Sequence, residues 1–315
     1  MMKYMREKHG IQIEGSTDKK NLINMGYYHG FKGYRFIGTS SQQIKFNNFG
    51  QLQSLYNFDM KLKTIFYPHI MLLETSIKNY TLEVIIENGE PDFDYVFSHH
   101  LNDYKSENTG NSKYRDKMKS RLILRNHIYE AVSYSYSNKK PVIQHFFHKN
   151  ENIPLWAIFE VISLGNFGVF LRCLNFDMRI NVARKLGVHT TSHNHNGRLI
   201  ESIIFILKDL RNAIAHNAVI FDCRFKGNEA ASDLKTFLEH ETGVPNIQFN
   251  SIVDYLILVV YLRKKLGATK TELKLLIRQF SEAVEELRSN NLSSIQFAIL
   301  GSDSRKKIEK LRKFI

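Results

Sequence analysis

Residues 199–216 read LIESIIFILKDLRNAIAH. Leu199, Ile203, Leu207, Leu210 and Ile214 recur at steps of three and four, the spacing of one face of an α-helix. The spacing predicts a helix over about 198–216 with that stripe turned to the core. The segment before it, 188–197 (VHTTSHNHNG), is polar and turn-prone. Arg211, Asn212 and His216 fall near the end of this apolar helix.

The same periodicity covers most of the chain, and five prolines in 315 residues leave long stretches free to coil. Over 48–87, Leu52, Leu55, Phe58, Leu62, Ile65, Leu73, Ile77 and Val84 mark one long helical pattern. Pro68 interrupts it and predicts a kink or break near 66–67, and Asn88-Gly89 supplies a C-cap. Further helices are expected at about 18–28, 113–136, 141–148, 154–173, 175–186, 234–240, 249–266 and 269–288, with a basic amphipathic helix over 302–315. Residues 26–36 (GYYHGFKGYRF) read as a turn-rich connector and 102–112 (NDYKSENTGNS) as an exposed loop. The fold class expected is all-α, with minor or no β structure. The pattern weakens through 225–232 (FKGNEAAS). That places a boundary between a domain at 1–227 and a helical extension at 228–315. Within the domain, an N-terminal helical part spans about 1–100 and a core bundle about 113–225.

Lys and Arg number 44 against 31 Asp and Glu, a formal charge of +13. Such a surplus favours a polyanionic partner, nucleic acid or an anionic surface. Hydrophobic residues at 43% and charged residues at 24% suit a folded core and exclude wholesale disorder. Cys173 and Cys223 are too few for a disulfide scaffold or a cysteine-based zinc finger. They fit a reducing, cytoplasmic setting. The first residues lack the apolar run of a secretory signal. The most apolar window, 252–262 (IVDYLILVVYL), is too short to span a bilayer, includes Asp254, and reads as a buried helix. No membrane association is expected. The phosphate loop, dinucleotide fingerprint and serine-hydrolase elbow are all absent.

Arg211 and His216 form an R-x4-H pair with Asn212 directly after the arginine. RNA can be cut without a metal when its own 2′-hydroxyl attacks the adjacent phosphorus. That reaction needs a group that moves protons near neutral pH, which histidine does best. It also needs a cation for the charge that builds on the phosphoryl oxygens, and the guanidinium fork matches them. Asn212 would hold the imidazole in one tautomer or bind a phosphate oxygen. Asn212 and His216 are four apart and share a helix face. Arg211 and His216 are five apart, about 140° round an ideal helix. They converge if the helix is distorted near His216, if the arginine curls round, or if a second subunit completes the site. Arg121 with His127, and Arg184 with His189, also satisfy the looser R-x4–6-H spacing but lack the asparagine and the apolar helix. The plain alternative is a surface arginine with an acidic partner and a histidine favoured by the helix dipole.

RNAIAHN resembles the R-N-x-x-x-H signature of HEPN ribonucleases, and further motifs narrow the likeness to the Abi-like (AbiD/AbiF) abortive-infection family. Met25-Gly26-Tyr27-Tyr28 with Gly33-Tyr34 resembles the family's I-G-Y-Y and G-Y pair. Residues 55–63 (LYNFDMKLK) resemble L-Y-x-F-D-x-x-L-R. Glu74 with Ile77 and Lys78 falls where the family has an acidic residue followed by a basic one. Pro154, Trp156, Glu160, Ser163 and Gly165 resemble P-x-W-x-x-x-E-x-x-S-x-G. These motifs keep the family's order over about 20–225. The resemblance implies a HEPN-type helical bundle, a homodimer with a composite active site, and a toxin-like ribonuclease in phage defence. It also implies pairing with a small structured RNA that restrains the enzyme. His216-Asn217 stands where the family has His-His or His-Asn, and Lys78 replaces the commoner arginine.

On this reading His216 is the general acid or base, Arg211 stabilises the transition state, and Asn212 positions. Glu74 either pairs with Lys78 one turn on or orients Arg211. Phosphate contact is expected from Lys113, Arg115, Lys117, Lys119, Arg121 and Arg125, and from Lys306 and Lys307 in the tail. His189, His193 and His195 read as a solvated loop rather than a metal site, Trp156 as core and Glu160 as a buried acid. No cofactor and no metal are expected, and the partner is RNA rather than DNA. The function expected is a metal-independent endoribonuclease. The alternative is a non-catalytic protein that binds a structured RNA, and a weaker third reading is a helical scaffold for a protein partner.

Overall fold

In chain order the helices are α1 (Met2–His9), α2 (Gly15–Met25), α3 (Phe49–Glu87), α4 (Phe93–His99), α5 (Ser112–Ser137), α6 (Pro141–Lys149), α7 (Leu155–Val161), α8 (Leu164–Cys173), α9 (Phe176–Lys185), α10 (Leu199–Ala215), α11 (Ser232–Thr242), α12 (Ile252–Lys265), α13 (Lys270–Ser289), α14 (Ser293–Leu300) and α15 (Ser304–Phe314). The computed structural model describes residues 1–190, 192–227, 230–290 and 293–315. A π-helical turn, Tyr27–Lys32, follows α2, where the sequence reads as a connector. The fold is all-α. Strand-like pairing among the described residues is limited to three isolated bridges.

Of the kink or break expected near 66–67, the break does not occur: α3 runs its 39 residues with Pro68 inside. Proline removes the hydrogen bond to the carbonyl four residues back. Pro68 and Thr64 both face solvent, so water can serve that carbonyl, while Leu62, Phe66, Ile70 and Leu73 hold the buried face together across it. The opposite happens in 154–173, read as one helix. Ile162 turns extended, and the Ser163 side chain accepts from the Asn166 amide at 3.1 Å, capping a new helix. α4 and α14 are two short helices that periodicity does not announce.

The chain forms two compact units. The first comprises 1–71, 209–230 and 238–315. In it Phe66 of α3 meets Phe280 of α13 edge-on, and Lys61 pairs with Glu286. α12 is the buried helix that its sequence suggests, with Ile252 to Arg263 all inside. Its Asp254 is also buried, where it accepts the Gln248 and Phe249 amides and the Lys307 ammonium at 2.8–2.9 Å. α13 begins with a reciprocal capping box between Thr269 and Glu272.

The second unit comprises 72–208 and 231–237. α5 packs on α6, α7 and α8, over a cluster of Phe159, Phe167 and Phe170. Asp103, buried, ties three segments together through Lys117 (3.0 Å), Arg179 (3.0 Å) and Arg198 (3.1 Å). Burial opposes its charge, but the hydrogen bonds from Arg179 and Lys117 win and hold its carboxyl below the ordinary range. Its stabilisation is therefore complete above the unfolded carboxylate pKa and is lost as pH falls through the lowered one. Asp103→Asn is expected to cost about 3 kcal/mol at neutral pH. The gap in melting temperature from the wild type should narrow below about pH 4. A gap that is constant with pH would remove the charge from the explanation.

Residues on both sides of the boundary expected at 227/228 belong to the first unit. Residues 238–315 share a unit with 1–71, where α13 packs on α3 through Phe280 and Phe66. The boundary itself falls at Asn228 and Glu229, which lie outside the described residues, as does Thr191 in the expected histidine loop.

Candidate active site

α10 packs Leu199, Ile200, Ile203, Ile204, Leu207, Leu210 and Ala213 inward, so the stripe read from sequence is its core face; Ile214 is only half-buried. The helix ends at Ala215. Asn217 then adopts a left-handed conformation, φ +52°. The Ala218 amide reaches the Ala213 carbonyl (2.8 Å) and the Asn217 amide the Ile214 carbonyl (3.1 Å). This pair of bonds is a Schellman closure. His216 is the C-cap residue, its own amide bound to the Asn212 carbonyl at 2.9 Å. The 140° expected between Arg211 and His216 presumes a helix that continues through the histidine, and α10 stops one residue short.

Arg211 and Asn212 are half-buried in the last turn, while His216 is exposed. The Arg211 Nη1 donates to Asn212 Oδ1 at 3.2 Å. The arginine therefore curls toward its neighbour, and the two side chains share one surface. The imidazole faces solvent, where a phosphodiester can reach it.

What fixes this turn is a buried carboxylate on α3. Asp59 Oδ1 accepts the amides of Ile220 and Phe221, both at 2.8 Å. Its Oδ2 accepts the Tyr34 hydroxyl at 2.7 Å and the Lys63 ammonium at 2.9 Å. Lys63 in turn donates to the Asn217 side chain at 2.8 Å. Burial, with the Asp59 charge beside it, pushes the Tyr34 hydroxyl far above the usual phenol range, so it stays a donor. Arg224 closes the other side, donating to the Gly33 (3.0 Å) and Phe36 (2.6 Å) carbonyls while its guanidinium lies over the Phe36 ring. The Asp222 carboxylate holds Arg224 and accepts the Gly38 amide. A Cβ on Gly33 would meet Val219 at 3.1 Å, so the G-Y pair is packed against the same loop.

Tyr34, Asp59, Lys63 and Asn217 were not singled out as site residues from the sequence. The signal was an acid and a base four residues apart on the buried stripe of α3, between Leu55, Phe58 and Leu62. Two charges on a core face need partners there.

Glu74, on α3, pairs with Lys78 at 3.0 Å, both nearly buried. Lys113, Arg115 and Lys119 are exposed on α5. Lys117 binds Asp103 and Glu107. Arg121 donates to the Leu101 and Phe97 carbonyls at 2.7–2.8 Å and lies on the Phe97 ring, so its charge is turned inward. Arg125, exposed, leans over Phe97 and Tyr129. In the tail Lys306 is exposed, but Lys307 is buried on Asp254 and the Asn246 carbonyl and does not face solvent. Its place is set by Ile308 and Leu311, whose inward face it shares. Glu160 and Trp156 are both exposed, against the expectation that they are interior. Among the described residues no three His, Cys, Asp or Glu side chains gather as a metal site, the histidines of 189–195 included. No described helix is long and apolar enough to cross a membrane.

The sequence model of the Abi-like proteins matches residues 20–222, which takes in Tyr34, Asp59, Lys63 and the whole of α10. No curated protein and no solved structure matches the chain.

Proposed function

This chain belongs to the Abi-like protein family, and from that premise we propose that it is a metal-independent endoribonuclease acting in abortive infection. The family itself points to phage defence. The observation that supports the enzymatic reading is the exposed His216, held at a rigid helix end beside Arg211 and Asn212 by a buried acid–base pair. A histidine that only ends a helix has no need of such support.

In the proposed reaction His216 accepts the proton of a ribose 2′-hydroxyl. The 2′-oxygen then forms a bond to the adjacent phosphorus, and the bond from phosphorus to the 5′-oxygen breaks. A protonated imidazole, of this chain or of a second copy, returns a proton to the leaving oxygen. Arg211 compensates the charge on the non-bridging oxygens, and Asn212 orients Arg211 or the phosphate. The products carry a 2′,3′-cyclic phosphate and a 5′-hydroxyl. The His and Arg supply proton transfer and charge compensation themselves, so no metal enters the scheme. A homodimer with a composite site and a small structured RNA as restraining partner belong to the same proposal, as does a cytoplasmic location.

The second reading, a protein that holds structured RNA without cutting it, is supported by the exposed cations Lys113, Arg115 and Lys119 on α5, which can meet phosphates without any chemistry at His216. A substrate with one 2′-deoxyribose just before a mapped cleavage point separates the two. The nuclease is expected to lose that cut, with binding unchanged. Cleavage undiminished at the deoxy position would exclude attack by the 2′-hydroxyl.

A further inference from the structure

α6 has nine residues, and Ile143 is the only one fully buried. Its two phenylalanines instead lie toward the surface, each against a ring of a neighbouring helix. Phe147 meets Tyr136 at the end of α5, ring centroids 5.2 Å apart. Phe146 meets Trp156 at the start of α7 at 5.8 Å. Both contacts are edge-to-face, which leaves ring faces open. Tyr136, Phe147 and Trp156 keep 40%, 51% and 44% of their surface exposed. Rings of this size are ordinarily among the first residues to be covered. All four rings belong to the second unit.

The stretch of chain that carries them is mostly basic, with Glu160 an exposed acid one turn beyond Trp156 on α7. Residues 134–156 contain Lys139, Lys140 and Lys149 and two histidines against a single carboxylate, Glu151. The three lysines are exposed. We propose that this aromatic and basic face binds unpaired nucleotides of RNA, with bases stacked on Trp156 and Phe147 and phosphates met by the lysines. Stacking is tolerant of sequence and needs open base faces, which a duplex does not offer. A second copy of the chain is the poorer occupant. A two-fold contact would bring the patch against itself and set lysines against lysines. The proposal shares with the preceding section the premise that the chain handles RNA, and it is independent of whether the chain cuts it.

Trp156 is the only tryptophan in the chain, so fluorescence excited to the red of tyrosine absorption reports this face alone. The probe is a 2′-O-methyl oligouridylate of about twelve nucleotides, which the proposed chemistry cannot cleave. Saturable quenching that weakens with salt is expected, with little effect from an RNA duplex of equal length. With a labelled oligonucleotide followed by anisotropy, Trp156→Ala and Phe147→Ala should each weaken binding about tenfold. Trp156→Phe should keep most of it. Neither truncation opens the core, and circular dichroism checks that the variants fold. Absence of quenching, equal quenching by duplex, or variants that bind as the wild type does would overturn the proposal. So would variants that lose self-association but keep RNA. Quenching by a protein that cuts no RNA would retain this face and end the nuclease reading; cutting without quenching would do the reverse.

Discussion

Asp59→Ala is expected to destabilise the protein by about 3–5 kcal/mol, the range for breaking a buried pair by removing one partner. Asp59 is fully inaccessible and satisfies four donors. Removing it strands the Lys63 ammonium, two backbone amides and the Tyr34 hydroxyl in the interior. Each orphaned neutral donor costs about 1–3 kcal/mol taken singly, but they share one acceptor and their costs do not add. Asp59→Asn retains an oxygen for the Ile220 and Phe221 amides but sets an NH2 donor opposite the Tyr34 hydroxyl and the Lys63 ammonium, so it should fall between the alanine variant and the wild type. Thermal melting ranks the three. Hydrogen exchange adds the local test, because the amides of Ile220 and Phe221 should lose protection most in the alanine variant. An alanine variant that melts with the wild type would show that the buried pair does not anchor the turn.

His216→Ala is the complementary case, a large loss of activity with little loss of stability. The side chain is exposed and ends a helix, so its removal should cost less than about 1 kcal/mol. Loss of a general acid or base should slow cleavage by about 10²–10⁴-fold. Arg211→Ala should give a comparable loss. Arg211→Lys should recover only part of it, because an ammonium keeps the charge but not the planar fork. RNA affinity, measured on a non-cleavable substrate, should change little in His216→Ala. A variant that is inactive because it no longer melts cooperatively would not count for the mechanism.

The helices that the sequence announces are those whose apolar residues recur on one face, as in α3, α10 and α13, or run without interruption, as in α12. Where the reading failed, single residues decided matters that periodicity does not see. Ser163 splits an apolar run because its side chain caps a helix start, yet a serine within such a run looks like any other polar position. Pro68 looks like a breaker, and becomes harmless because the carbonyl it deprives faces solvent. The candidate site shows the same division. Arg211, Asn212 and His216 were legible as a local motif on one helix. Their support was not, because Tyr34, Asp59 and Asn217 are separated in sequence by 25 residues or more, and only folding brings them together. Lys307 and Arg121 read as phosphate-binding charges and are instead turned to internal carboxylates and carbonyls, since a charge run does not reveal which of its members point inward.

The most direct test of the nuclease proposal is incubation of end-labelled RNA with the purified protein in EDTA, beside His216→Ala. The proposed chemistry predicts cutting by the wild type alone, with 2′,3′-cyclic phosphate and 5′-hydroxyl ends. Cutting that EDTA abolishes, products with 5′-phosphate ends, or equal cutting by His216→Ala would contradict it.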